Sequence, residues 1–169
     1  MVNEEQAPPT ELPSRRFAGR VDFQQLVRDA FAAAAREGWR EIILSDAYFA
    51  DWPLGERAIA ESLNAWAGSG RRFTILAKKY DEVVRRHARF VTWRKTWSHI
   101  IEARAVPAAE PLELPSAIWT PAWVMERRDL EDCAGFCGSE PQRRLELHQA
   151  LKEWLLKSTP SFPSSTSGL

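Results

Sequence analysis

Apolar positions recur at helical spacing in four stretches of the chain and gather into short runs between them. Phe23, Leu26, Val27, Ala30, Phe31 and Ala34 fall on one face of a 3.6-residue period, with Asp22 placed to cap the helix and Gly38 to end it. Residues 41–45, with Ile42, Ile43 and Leu44, form a continuous apolar run, the pattern of a strand covered on both faces, and 46–53 follow as a loop. A second helix is predicted over about 55–67, stopped by Gly68 and Gly70, and a second strand over 72–77. This strand, helix, strand order predicts parallel neighbours joined by a right-handed crossover. One long helix is predicted over 81–97, with Phe90 and Trp97 on its apolar side and Trp93 off it. A third strand is predicted over 100–106.

After a connection rich in Pro and Glu over 107–115, residues 117–119 and 123–128 read as paired strands across a turn at Thr120 and Pro121, with a further short strand over 133–136. An amphipathic helix over 142–157 closes the pattern through Leu145, Leu147, His148, Leu151, Trp154 and Leu155. Proline-rich and Ser/Thr-rich ends, 1–19 and 159–169, lack periodicity and are expected to be tails or surface arms. The expected architecture is one α/β domain over 20–158, a layered α/β/α arrangement with a mixed sheet.

Composition is consistent with this. At 169 residues with 44% hydrophobic side chains the chain has material for one well-filled core and no room for a second domain. Lysine plus arginine equals aspartate plus glutamate at 23 each, so no global field draws the protein to nucleic acid or an anionic membrane. The local balance differs: between Arg71 and Lys95 there are nine basic residues against Asp81 and Glu82. Cys133 and Cys137 are the two cysteines, and no signal peptide or membrane span is legible, so a reducing cytoplasm with unbridged thiols is expected. No His and Cys set accompanies them, and no metal site is assigned.

The segment from Trp123 through Asp129 to Gly138 and Ser139 carries the main functional clue. An Asp followed by a short strand and a Gly-Ser pair resembles the phospholipase D superfamily. The order of elements from Val21 to Lys157 is similar to one half of a phospholipase-D-like domain. Residues 42–49, His87, Arg89, Phe90, the 98–101 segment and the ending Glu153, Trp154, Leu155, Lys157, Ser158 resemble an uncharacterised proteobacterial family of such half domains. The resemblance implies a His nucleophile, a phosphate-binding Lys two residues later and an Asp seven residues after the His. With Asp129 on that Asp, the other two positions hold Ala122 and Val124. Neither side chain can form a phospho-intermediate or neutralise a transferring phosphoryl group. The resemblance therefore implies the fold, a degenerate His-Lys-Asp motif, and pairing as a homodimer.

The expected function is a catalytically inactive phospholipase-D-like module that binds an anionic ligand or a protein partner. No catalytic residue is assigned. His87 or His99, with Asp129, would have to supply the chemistry of an alternative phosphodiesterase or phosphatase. Candidate ligand contacts are Arg85, Arg86, Arg89, Arg94 and Lys95 on the basic helix, Asp46 and Tyr48 in the loop at the end of the first strand, and Ser139. The basic helix, with Phe90, Trp93 and Trp97 among its cations, also allows weak nucleic-acid binding as a further alternative, which is not favoured. Gly-rich phosphate loops, zinc-protease helices and nucleophile elbows are absent from the sequence, and no cofactor is assigned.

Overall fold

The computed structural model describes residues 11–163. The elements run β1 (Arg15–Phe17), α1 (Arg20–Glu37), β2 (Glu41–Ser45), α2 (Arg57–Trp66), β3 (Arg72–Ala77), α3 (Asp81–Arg86), α4 (Ala88–Thr96), β4 (Ile101–Ala105), β5 (Ser116–Trp119), β6 (Val124–Asp129), β7 (Ala134–Gly138), α5 (Pro141–Lys157) and β8 (Thr159–Pro160), with a 3₁₀ turn at Ser98–Ile100 before β4. They build one mixed sheet in the order β1-β7-β6-β5-β2-β3-β4-β8. β2, β3 and β4 are parallel neighbours, as the crossover pattern predicts, while β5 runs antiparallel to β2 and starts an antiparallel half.

Alternation along the strands sorts side chains into two layers. Ile42, Leu44, Phe73, Ile75 and Met125 join the main core, to which α1, α2 and α4 contribute Phe23, Leu26, Phe31, Ile59, Leu63, Phe90 and Trp93. Ile43, Ala117 and Val124 point the other way and meet Leu147 and Leu151 of α5. Leu76 continues that second face beneath Trp154 and Leu155. Helices thus cover both faces of the sheet, which is why β2 reads as an unbroken apolar run rather than an alternating one.

Several expectations change. Asp22 does not cap α1; Gly19 occupies that position, and Asp22 sits in the first turn paired with Arg15 at 2.9 Å. Part of the expected N-terminal tail is a strand, because Arg15–Phe17 pairs antiparallel with β7. At the other end β8 pairs with β4 through Arg104 and Ala105. The remainder of the expected tails, 1–10 and 164–169, lies outside the described residues. The single helix expected over 81–97 is two, broken at His87, whose φ of −122° and ψ of 58° leave the helical region. The break re-phases α4 and the turn after it: Trp93 is buried edge-on against Phe73 with ring centroids 4.9 Å apart, and Trp97 is half-buried.

At Gly135 a Cβ would stand 2.0 Å from the Glu126 carbonyl oxygen, so only glycine lets β7 approach β6 where the register shifts between Arg127 and Asp129. Both cysteines are free and buried. No helix among the described residues is long and apolar enough to cross a membrane.

Candidate functional site

The positions on which the expected phosphodiester motif would fall are distributed along the β5–β6–β7 meander. Thr120 shapes the β5–β6 turn: its Oγ1 accepts the backbone N–H groups of Ala122 at 3.2 Å and Trp123 at 2.8 Å, and donates to the Trp123 carbonyl at 2.6 Å. Ala122 in this turn packs against the main core. Val124 begins β6 on the opposite face, 3% exposed and in the cluster with Leu147 and Leu151. The two side chains therefore line different layers rather than one cleft.

Asp129 ends β6. Its carboxylate accepts the Asp132 N–H at 3.0 Å, a local bond that helps carry the chain into β7. Gly138 ends β7 opposite Val124, whereas Ala134 begins it opposite Asp129. Five residues of strand separate the two ends, about 16 Å at 3.3 Å per residue. Asp129 and the exposed Ser139 accordingly stand at opposite ends of the hairpin, too far apart to hold one phosphate. Ser139, Ala122 and Trp123 border a hollow of about 230 Å³ whose lining includes no histidine among the described residues.

His87 is 5% exposed, and its Nε2 donates to the carbonyl oxygen of Phe49 at 2.7 Å. Burial holds its pKa below the ordinary histidine value, with the hydrogen bond to Phe49 and the nearby Glu82 pulling the other way. Gly55 permits this packing, since a Cβ there would stand 2.9 Å from the Arg86 carbonyl oxygen and 3.2 Å from His87 Nδ1. His99 is exposed on the 3₁₀ turn, its ring 5.8 Å from that of Trp97. Among the described residues neither histidine is hydrogen-bonded to Asp129 or Ser139.

The basic helix is less basic toward solvent than its sequence. Arg85 and Arg86 share one carboxylate, Glu82, at 2.8 and 2.5 Å. Arg89 donates to the Gly55 carbonyl at 2.9 Å, and Lys95 is exposed. Arg94 turns inward and is only 8% exposed. These cations do not form one stripe, because the break at His87 gives α3 and α4 separate faces.

The loop after β2 is the best-built polar feature. Asp46 is 5% exposed; its Oδ2 accepts the N–H groups of Tyr48 at 3.2 Å and Phe49 at 2.8 Å, holding Phe49 at φ 57°. Its Oδ1 accepts Arg127 Nη2 at 3.1 Å. Asp51 takes a fork from Arg127 at 2.5 and 3.1 Å, and Arg127 Nε donates to Ser116 Oγ at 3.1 Å. Arg127 Nη1 also reaches Cys133 Sγ at 3.5 Å, and the guanidinium lies 4.3 Å from the Phe23 ring centroid. Burial pulls the Arg127 pKa down, but the hydrogen bond to Asp51 and the charges of Asp46 and Asp51 outweigh it and hold it above the ordinary value. Every guanidinium nitrogen is engaged, so the cluster joins β6 to the β2 loop and has no donor left for a ligand. Tyr48 is half-buried beside it. Arg127 is absent from the residues that sequence reasoning singles out, although its spacing from Met125 places it on the inner face.

No protein-family pattern matches the chain, and no curated protein matches it. Among solved structures the chain is similar to TrmBL2, an archaeal chromatin protein whose structure shows a novel mode of DNA binding. The TM-score is 0.63 at 14% identity, over 94% of this chain and 56% of TrmBL2, so the chain spans little more than half the length of that protein. The likeness is one of fold.

Proposed function

We propose that the chain is a non-catalytic, phospholipase-D-like domain that works as a binding or interaction module. One observation carries this reading: Ala122 and Val124 pack into different layers, and Asp129 and Ser139 lie at opposite ends of the β6–β7 hairpin. A phosphoryl transfer site needs a nucleophile, cations and a supporting acid around one phosphorus. His87 does not repair the deficit, since its Nε2 is occupied by Phe49 and its side chain is buried. The phosphatase alternative then falls to His99, which stands between Trp97 and solvent with no carboxylate bonded to it among the described residues.

The test is a panel of generic mono- and diester phosphates incubated with the full chain, with and without divalent metal. No turnover above buffer is expected. Turnover that disappears in His99→Ala or His87→Ala, with the fold intact by circular dichroism, overturns the reading.

Nucleic acid is the second reading, favoured by the DNA-binding character of TrmBL2. It is weakened by the basic helix itself, where Arg94 is buried and Arg85 and Arg86 both bind the one carboxylate of Glu82. A protein partner, including a second copy of the chain as the resemblance implies, fits the module reading equally.

A further inference from the structure

Two arginines are buried among the described residues, and their surroundings are opposite. Arg127 meets two carboxylates, a hydroxyl and a thiol. Arg94, 8% exposed, meets none of these: its Nε donates to the Phe162 carbonyl at 3.1 Å, and its Nη1 is buried without a hydrogen-bond partner among the described residues. Its guanidinium carbon lies 5.8 Å from the Phe162 ring centroid. Burial lowers its pKa, opposed by Tyr80 and by no carboxylate. Folded proteins rarely keep a charge in this state, because an unpaired buried ion is strongly destabilising.

Arg94 also lines an open cleft of about 570 Å³ between α4, the outer edge of β4 and the strap after β8. Ile101, Ala103, Pro160 and Pro163 give it apolar walls. The strap is fastened firmly: Ser161 N donates to the Ala103 carbonyl at 3.0 Å, and Phe162 stacks on Tyr80 with centroids 4.9 Å apart. β8 pairs with β4 only at Arg104 and Ala105, which leaves the Ile101 and Glu102 end of that edge without a strand among the described residues. The second cation in the cleft is already matched, since Arg104 donates to Ser158 Oγ at 2.9 Å and to the Ser158 carbonyl at 2.7 Å, and lies 3.7 Å from Glu102. Among the described residues one positive charge is left over, beside the exposed carboxylate of Glu102.

We propose that this cleft is a binding site for a small monoanionic carboxylate with an apolar body, its carboxylate held by the guanidinium of Arg94. A carboxylate matches the planar fork of a guanidinium and the one positive charge that the described residues leave uncompensated. A phosphate dianion would bring a second negative charge against Glu102. Ile101, Ala103 and the two prolines would receive the alkyl portion. The site supplies a ligand class for the module reading, yet its test is independent of the phosphoester panel, so the two can fail separately.

Thermal unfolding of the full chain is followed while acetate, butyrate, phosphate and chloride are titrated at matched ionic strength. Butyrate, and acetate more weakly, should raise Tm along a saturable curve, by about 4 °C at ten times the half-saturating concentration. Arg94→Met should lose the saturable response while folding at least as stably, since an apolar side chain removes the unmatched charge. If that variant does not fold, Arg94→Lys serves, keeping the charge but losing the fork, with half-saturation raised at least tenfold. An equal response in wild type and the Arg94 variant, or a carboxylate response no larger than that to chloride, overturns the site. Phosphate acting as strongly as butyrate overturns the monoanion assignment.

Discussion

His87 and Phe49 are locked together: the imidazole Nε2 donates to the Phe49 carbonyl at 2.7 Å, and Phe49 is itself held at φ 57° by the Asp46 carboxylate. A carbonyl can only accept, so a proton resides on Nε2, and burial favours the neutral ring. The contact also explains why α3 stops and α4 restarts at this residue. His87→Ala should lower unfolding stability by about 2–3 kcal/mol, through a lost hydrogen bond, an orphaned carbonyl and a cavity. Urea unfolding midpoints at pH 7.5 check this, and a loss below about 0.5 kcal/mol would refute a structural role for the contact.

The same histidine sets a pH dependence. Its folded pKa lies below the ordinary 6.5, chiefly through burial, so between those two values the unfolded chain binds the proton more readily. The stabilisation is therefore complete above pH 6.5 and is lost as pH falls through the folded pKa. His87→Gln, which keeps a donor to Phe49 without titrating, should flatten the stability profile over that window. A slope retained in full by the variant would assign it to other groups.

Arg127 illustrates an interaction whose partial removal is worse than its absence. Arg127→Met leaves Asp46 and Asp51 without their cation, at an expected loss of about 3–5 kcal/mol. Adding Asp46→Asn and Asp51→Asn to that variant should recover part of the loss, because the stranded charges are gone. Equilibrium unfolding of the single and triple variants measures the coupling; strict additivity would show that the three residues act independently.

The legible parts of the fold are those whose reasons are local. β2 and β3 are bounded in the sequence by continuous apolar runs because both faces are covered, and α5 by its period. The break at His87 is invisible because Val83, His87 and Phe90 keep helical spacing across it; only the distant Phe49 carbonyl and the close approach at Gly55 make it. β1 and β8 are too short to carry a pattern and exist through register with β7 and β4. At the site, an apolar residue at position 124 already signals a wall, and the carboxylates of the loop after β2 stand out by their place at the end of a buried strand. The burial of Arg127 and Arg94 is not legible, because a charged residue in the sequence reads as solvated until its partners, or their lack, are seen.

The basic helix yields a prediction of no effect. With Arg85 and Arg86 both bound to the one carboxylate of Glu82 and Arg94 buried, the triple change of Arg85, Arg86 and Arg89 to Glu should leave retention of single-stranded DNA unchanged, at a low level, in about 50 mM salt. Fluorescence anisotropy with labelled oligonucleotides reads this directly. Clear wild-type binding that the triple variant abolishes would restore this helix as a nucleic-acid surface.

Introducing the side chains that the phospholipase D resemblance would call for should not create its chemistry. Ala122→His combined with Val124→Lys places a His and a Lys seven and five residues before Asp129, the spacing that the resemblance implies. Position 124, however, is 3% exposed and packed on Leu147 and Leu151 of α5, so a lysine there is buried without a partner. That substitution should cost about 3 kcal/mol or more and loosen α5 from the sheet. Position 122 lies in the turn against the main core, and Asp129 remains at the far end of β6. Three groups spread over two layers and a strand length cannot surround one phosphorus. The doubly substituted chain should therefore unfold at lower urea and hydrolyse no phosphodiester, whereas measurable turnover by it would mean that the hairpin can rearrange into a working site.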